Sequence, residues 1–166
     1  MVYYVNILPL GGNTVIIKTT RFGEVEVAEE QLFKFSHGIP GFPDEKVFAH
    51  LPLDAEGPFS FLQSTTEANL TFLLADPFAF FKDYEFVLED NVAEELDLSQ
   101  ENPPQVFLVA TMKGKPVDMT VNLLAPLVMN GLNHTGRQVI LDKPEYSIRH
   151  QLFPDGLPNE AVKGGT

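Results

Sequence analysis

Short apolar runs separated by proline, glycine and asparagine dominate the pattern of the chain and predict a mainly β fold. The longest run, Thr120–Asn130, is interrupted only by the amide of Asn122 and by Pro126. Because proline cannot donate to a sheet ladder, we expect this run to form two short strands that meet at Pro126. Asn130-Gly131 predicts a turn into a following strand at 137–141, which makes this the central hairpin of the fold. Asn122 must either be paired internally or serve as a recognition handle, and we favour the paired role.

The remaining apolar runs predict further strands and one helix. Asp90–Leu98 is the best helix candidate, since a capping Asp or Asn opens it and Val92 and Leu96 share one face. The spacing of strands and turns is typical of an all-β barrel or sandwich. The strands are predicted at Phe22–Val27, Leu32–Phe35, Val47–Leu51, Phe59–Gln63, Leu70–Leu74, Asp83–Leu88 and Gln105–Thr111.

The length of 166 residues predicts a single domain, 1–166. We place its body at about 19–150, after an N-terminal leader, 1–18, that is either an extra strand or an added segment. The C-terminal tail, 152–166, is polar and is expected to be partly disordered. The sequence supports neither a signal peptide nor a membrane anchor, so we expect a cytoplasmic protein that does not bind membranes.

Charge and composition exclude several classes of function. A net charge of −12 disfavours direct nucleic-acid binding, which needs a basic surface for the phosphates. The absence of cysteine removes disulfides and thiol chemistry. The four histidines are scattered without metal-ligand spacing, and no nucleophile or nucleotide-binding motif is present. We therefore predict no enzyme activity, no metal and no cofactor, with a small-molecule-binding β-barrel and a carboxylate-dependent hydrolase as alternatives.

Two stretches are candidates for binding a protein partner. The loop Gly38–Pro43 carries Ile39 and Phe42 between glycines and prolines, and is either a binding loop or a structural corner. The segment from Asp83 to Met112 contains acidic residues and no lysine or arginine, so it is either a solvated face or a docking surface for a basic partner. An aromatic cluster at Phe78, Phe80 and Phe81 is either core or an exposed partner surface.

Several short motifs follow one another along the chain: Phe22–Glu26, Gly38–Phe42, Phe59–Ser64, Asp76-Pro77, Thr120–Pro126, Gln138–Leu141 and Tyr146–His150. Their order resembles the FliW family of flagellar assembly factors. The resemblance extends over the body from Thr20 to His150, whereas the leader, Ser36-His37, Gln151 and the tail depart from the usual family pattern.

The resemblance implies a small antiparallel β-barrel-like domain with one or two short helices that is not an enzyme. It also implies two partners: flagellin before export, and CsrA, a dimeric RNA-binding regulator that represses flagellin translation. Flagellin that accumulates would occupy the protein and leave CsrA free, and export of flagellin would reverse this. We expect a monomer when neither partner is bound.

We assign partner contacts from the chemistry of each stretch. An amphipathic helix of unassembled flagellin needs an apolar groove, for which Phe42, Phe78, Phe80 and Phe81 are candidates. Ile39 is a further candidate for partner binding. The basic surface of CsrA needs acidic residues, for which Glu94, Glu95 and Asp97 are candidates. An acidic body docked on CsrA would exclude RNA by charge repulsion.

Overall fold

Strands form most of the regular structure in the computed structural model, which describes residues 13–157. Within this range there are eleven strands, two short α-helices and two 3-10 turns, Glu29–Gln31 and Pro116–Asp118. The helices are α1, Pro77–Phe80, and α2, Asp90–Glu95. The strands are β1 Thr14–Thr19, β2 Gly23–Ala28, β3 Leu32–Lys34, β4 Val47–Pro52, β5 Phe59–Ser64, β6 Thr71–Ala75, β7 Gln105–Thr111, β8 Thr120–Val121, β9 Leu127–Asn130, β10 Thr135–Gln138 and β11 His150–Gln151.

Seven of these strands close into a barrel, which confirms the predicted mainly β fold. The order is β7-β6-β5-β4-β3-β10-β9, and β9 pairs again with β7 to complete the ring. Neighbours are antiparallel except β3 and β10, which pair in parallel at Lys34 and Thr135. Closure leaves the barrel without a free edge, which removes a common route to aggregation.

The long apolar run splits at Pro126 as the sequence predicts. Its first part is β8 and its second part is β9, and both pair with the same strand, β7. Asn122 is internally paired, since its Oδ1 accepts hydrogen bonds from the backbone N–H of Leu124 at 3.0 Å and of Ala125 at 3.1 Å. The hairpin continues into β10, which begins at Thr135 and ends at Gln138, earlier than predicted. The second part of the run, β9, is therefore the strand that closes the barrel by pairing with β7.

Large apolar side chains fill the barrel interior. Phe35, Phe48 and Leu62 are fully buried there, together with Leu74, Leu127 and Met129. Position 136 favours glycine because a Cβ there would lie 2.6 Å from Cζ of Phe35. The interior is thus packed to contact, as expected for a small barrel.

The hairpin of β1 and β2 covers the outside of the barrel. Ile17 and Val27 pack against Ala49 and Leu51 on the outer face of β4, in a second buried cluster. Strand β1 begins at Thr14, so the predicted leader contains a strand of the fold, which is one of its two predicted forms. The rest of the leader, 1–12, and the end of the tail, 158–166, lie outside the described residues.

Two local predictions need correction. Asp83–Leu88 is not a strand, because Tyr84 and Phe86 pack onto the outside of the barrel without joining a ladder. Helix α2 begins at Asp90 as predicted, but it ends at Glu95 and not at Leu98, and its N-cap is Glu89, which makes no side-chain capping bond. Asp76, in contrast, caps α1 by accepting a hydrogen bond from the N–H of Phe78 at 2.9 Å. No helix among residues 13–157 is long and apolar enough to cross a membrane.

Candidate partner-binding surfaces

An open groove of about 450 Å³ lies beside α1, and we call it the aromatic groove. Aromatic rings meet edge to face or tilted along it, with Phe81 and His150 at 5.1 Å and Tyr84 and Tyr146 at 5.1 Å between centroids. Phe80 packs against Phe59, Phe81 and Phe153 at the base. Lys82, Asp83 and Glu145 supply charges to its lining.

The tyrosine hydroxyls of the aromatic groove are used internally. The hydroxyl of Tyr84 donates to the carbonyl oxygen of Leu123 at 2.8 Å, and that of Tyr146 donates to the carbonyl oxygen of Glu85 at 2.8 Å. Burial, and next the neighbouring Tyr146, raise the pKa of the Tyr84 phenol well above its usual value. The groove therefore offers ring faces to a partner, and not phenol hydrogen bonds.

The structure separates the five predicted apolar contact residues. Phe78 is 55% exposed, and Phe80 and Phe81 are half-buried in the aromatic groove. Phe42 is 41% exposed but packs edge to face against Phe72, a residue associated with the barrel interior. Ile39 is only 2% exposed and belongs to the core, so in this conformation its side chain offers no surface to a partner. The Gly38–Phe42 loop is in this respect a structural corner.

The acidic residues of α2 differ in their environments. Glu94 is exposed, whereas both carboxylate oxygens of Glu95 are engaged: Oε1 contacts Nε2 of His37 at 2.5 Å and Oε2 contacts Nη1 of Arg137 at 2.5 Å. Partial burial would raise the pKa of Glu95, but hydrogen bonds and charges from Arg137 and His37 outweigh it and lower the pKa. Glu95 therefore joins α2 to the barrel and is not a free charge for a partner.

Asn130 fixes the C-terminal end of α2. The sequence did not predict this role. Its side chain is 1% exposed, and its Nδ2 donates to the carbonyl oxygens of Leu96 at 2.6 Å and Asp97 at 3.2 Å. Its Oδ1 accepts from Nδ2 of Asn102 at 3.0 Å. Asp97 follows the helix with a φ of 54°, a left-handed conformation that aspartate tolerates. The only sequence signal was the Asn-Gly pair, which indicated a turn and nothing more.

The described residues give the two alternative functions no support. The pKa of Glu45 is lowered by hydrogen bonds from Thr66 and Ser64, and that of Glu95 is lowered by its partners, so neither is the carboxylic acid of raised pKa that a hydrolase of the predicted type needs. The described residues of the barrel interior are mostly large and apolar. Among residues 13–157 no group of three or more His, Asp or Glu side chains is arranged to hold a metal.

Comparison with known proteins gives a consistent family. The model of the FliW protein family matches residues 16–152. The flagellar assembly factor FliW of Desulfitobacterium hafniense (strain DSM 10664 / DCB-2) is 61% identical over 149 residues, which cover 90% of this chain and 98% of that protein. The FliW of Bacillus subtilis (strain 168) is 41% identical over 138 residues, covering 83% of this chain and 96% of that protein.

A solved structure agrees with these relatives. The crystal structure of the flagellar assembly factor FliW superposes with a TM-score of 0.76 at 38% identity, over 86% of this chain and 100% of that one. The matched range includes the whole barrel, the aromatic groove and α2. The chain belongs to the FliW family.

Proposed function

We propose that this chain is a non-catalytic flagellar assembly factor of the cytoplasm, which holds flagellin before export and antagonises the translational regulator CsrA by binding it. The observation that carries the proposal is the 61% identity to a flagellar assembly factor over nearly its full length. The apolar side chains buried in the barrel interior form its core, which supports a role exerted at the surface.

The aromatic groove is the proposed flagellin site. An amphipathic helix buries one apolar face in a groove, and the exposed ring of Phe78 beside the half-buried Phe80 and Phe81 provides such a face. The internally satisfied hydroxyls of Tyr84 and Tyr146 leave the groove apolar where a helix would lie.

The acidic surface around α2 is the proposed source of the antagonism. Glu94 and Asp97 are exposed and carry no ion pair among the described residues. Docked on basic CsrA, they would place negative charge near the RNA path. At physiological salt the Debye length is about 8 Å, so only carboxylates close to the RNA can repel it. The mechanism therefore depends on position and not on the net charge of −12.

Three purified components test the proposal: this chain, flagellin and CsrA, with a fluorescent leader RNA that CsrA binds. We expect this chain to bind each protein, to release RNA from CsrA, and to lose this effect when flagellin is added in excess. Bovine serum albumin, another acidic protein, controls for nonspecific charge. If neither flagellin nor CsrA binds at micromolar concentrations, the proposal is wrong.

A further inference from the structure

A second, smaller cleft lies where the segment before α2 runs beside the segment after β10. It has a volume of about 260 Å³, and its apolar lining includes Phe86, Val87, Val139 and Ile140. We call it the aliphatic cleft. Val87 is 88% exposed and Ile140 is 72% exposed, so two aliphatic side chains stand in water at its edge. The proposed flagellin site does not include either residue.

The aliphatic cleft and α2 share an apolar cluster and one lining residue. Val92 of α2 and Leu96, the C-cap of α2, pack onto Val128 in a cluster that also includes Phe86 and Val139, which line the cleft. Glu89, the N-cap of α2, also lines the cleft. The exposed aliphatic pair therefore adjoins the acidic helix.

The charges around the cleft favour a basic occupant. Glu89 and Asp142 line it, and the chain from Asp83 to Met112 has no basic residue. Lys143 is the one basic side chain of the lining, but its Nζ donates to the carbonyl oxygen of Glu85 at 2.8 Å and lies 5.1 Å from the ring centroid of Tyr146. Its charge is thus directed toward the aromatic groove. A second copy of this acidic surface would be repelled.

We infer that the aliphatic cleft is an apolar anchor for the same basic protein that α2 attracts, taking up an aliphatic side chain of that partner while the carboxylates contact its basic rim. An apolar centre with a charged rim is the usual anatomy of a protein interface. The inference rests on the proposed function, in which the basic partner is CsrA. In the complex of this chain with CsrA, apolar contact at the cleft then contributes to binding in addition to charge.

The test compares binding of purified CsrA to the full chain and to the double variant Val87→Ser/Ile140→Ser by calorimetry. We measure at about 0.1 M and about 1 M NaCl, where the Debye length falls from about 10 Å to about 3 Å. We expect the double variant to raise Kd at least about tenfold at both salt concentrations, because burial of aliphatic surface is not screened by salt. Ile16→Ser, which removes a 66% exposed aliphatic side chain on β1, is the matched control and should bind as wild type does.

Several outcomes would overturn the inference. Wild-type affinity of the double variant at both salt concentrations would show that the cleft is not part of the interface. A marked fall in the melting temperature of the unbound double variant would show that the chain itself covers the cleft, and dissociation of a wild-type dimer would identify a second copy as the occupant. If the wild-type chain binds CsrA at neither salt concentration, the proposed function is wrong as well.

Discussion

The side-chain amide of Asn130 donates a 2.6 Å hydrogen bond to the carbonyl oxygen of Leu96, which joins the β9–β10 turn to the end of α2. The two residues are 34 positions apart in the chain. A helix as short as α2 is marginal alone, so its stability depends on contacts of this kind. The acidic surface proposed for CsrA is therefore positioned by a buried amide on the barrel.

Asn130→Ala should destabilise the protein by about 2–3 kcal/mol, because it leaves buried backbone groups without partners. Chemical denaturation measures the loss. Asn102→Ala is the matched control: it removes one donor to Asn130 but keeps both bonds from Asn130 to α2, and should cost less. Equal effects of the two variants would contradict the positioning role of Asn130.

The stability of the protein should fall between pH 6.5 and pH 4 partly because of His50. Burial lowers the pKa of His50 from 6.5 to about 4, so over this range the unfolded chain binds a proton that the folded protein does not. This contribution is fully present above pH 6.5, is lost as the pH falls to about 4, and is on the order of 3 kcal/mol at most.

His50→Gln should flatten this dependence while retaining a polar partner for the Ser60 hydroxyl, which lies 2.9 Å from Nε2 of His50. Denaturation at pH 4.5, 5.5 and 7 for both proteins isolates the contribution of His50 from that of the carboxylates. A wild-type profile for His50→Gln would refute the assignment.

Two phenylalanines of α1 should separate binding from folding. Phe78→Ala removes a ring that is 55% exposed, so we expect weaker flagellin binding with a nearly unchanged melting temperature. Phe80→Ala removes a ring packed against Phe59, Phe81 and Phe153, so it should also destabilise the protein, by about 2–4 kcal/mol. Thermal melts and flagellin titrations give both quantities. Full flagellin affinity of Phe78→Ala would place the binding site elsewhere.

Reversing the charge of Glu94 and neutralising that of Asp97 should weaken the release of RNA from CsrA. We expect Glu94→Lys with Asp97→Asn to reduce release several-fold at low salt and to flatten its salt dependence, since these carboxylates carry no ion pair among the described residues. Asparagine is chosen at 97 because it tolerates the φ of 54°. Glu26→Lys, on β2, is a charge control. Release equal to wild type at low salt would exclude this surface as the source of repulsion.

Local patterns predicted most of the fold, because the strands obey local rules. The break at Pro126 follows from a missing N–H, and β7 was placed residue for residue by its apolar run. Asp83–Leu88 misled the prediction because its alternation reflects packing of Tyr84 and Phe86 on the barrel surface, which has the same period as a strand.

The candidate surfaces were less predictable because they depend on contacts between distant residues. Glu95 meets His37 across 58 positions and Arg137 across 42, so no local pattern could show that its charge is already paired. Ile39 and Phe42 lie in one loop, yet only the folded barrel shows that the first is buried and the second is partly exposed. The sequence showed the aromatic cluster of Phe78, Phe80 and Phe81. It did not show that Phe42 packs elsewhere, against Phe72.

The parallel pairing of Lys34 with Thr135 also sets an order of events during biosynthesis. These residues are about 100 positions apart, and closing so long a loop costs more entropy than forming the hairpins between them. On the ribosome, the sheet from β3 to β6 can assemble early, but β3 keeps an unpaired edge until β10 has emerged. Nascent chains stalled before residue 135 would therefore expose a strand edge that the finished protein never presents.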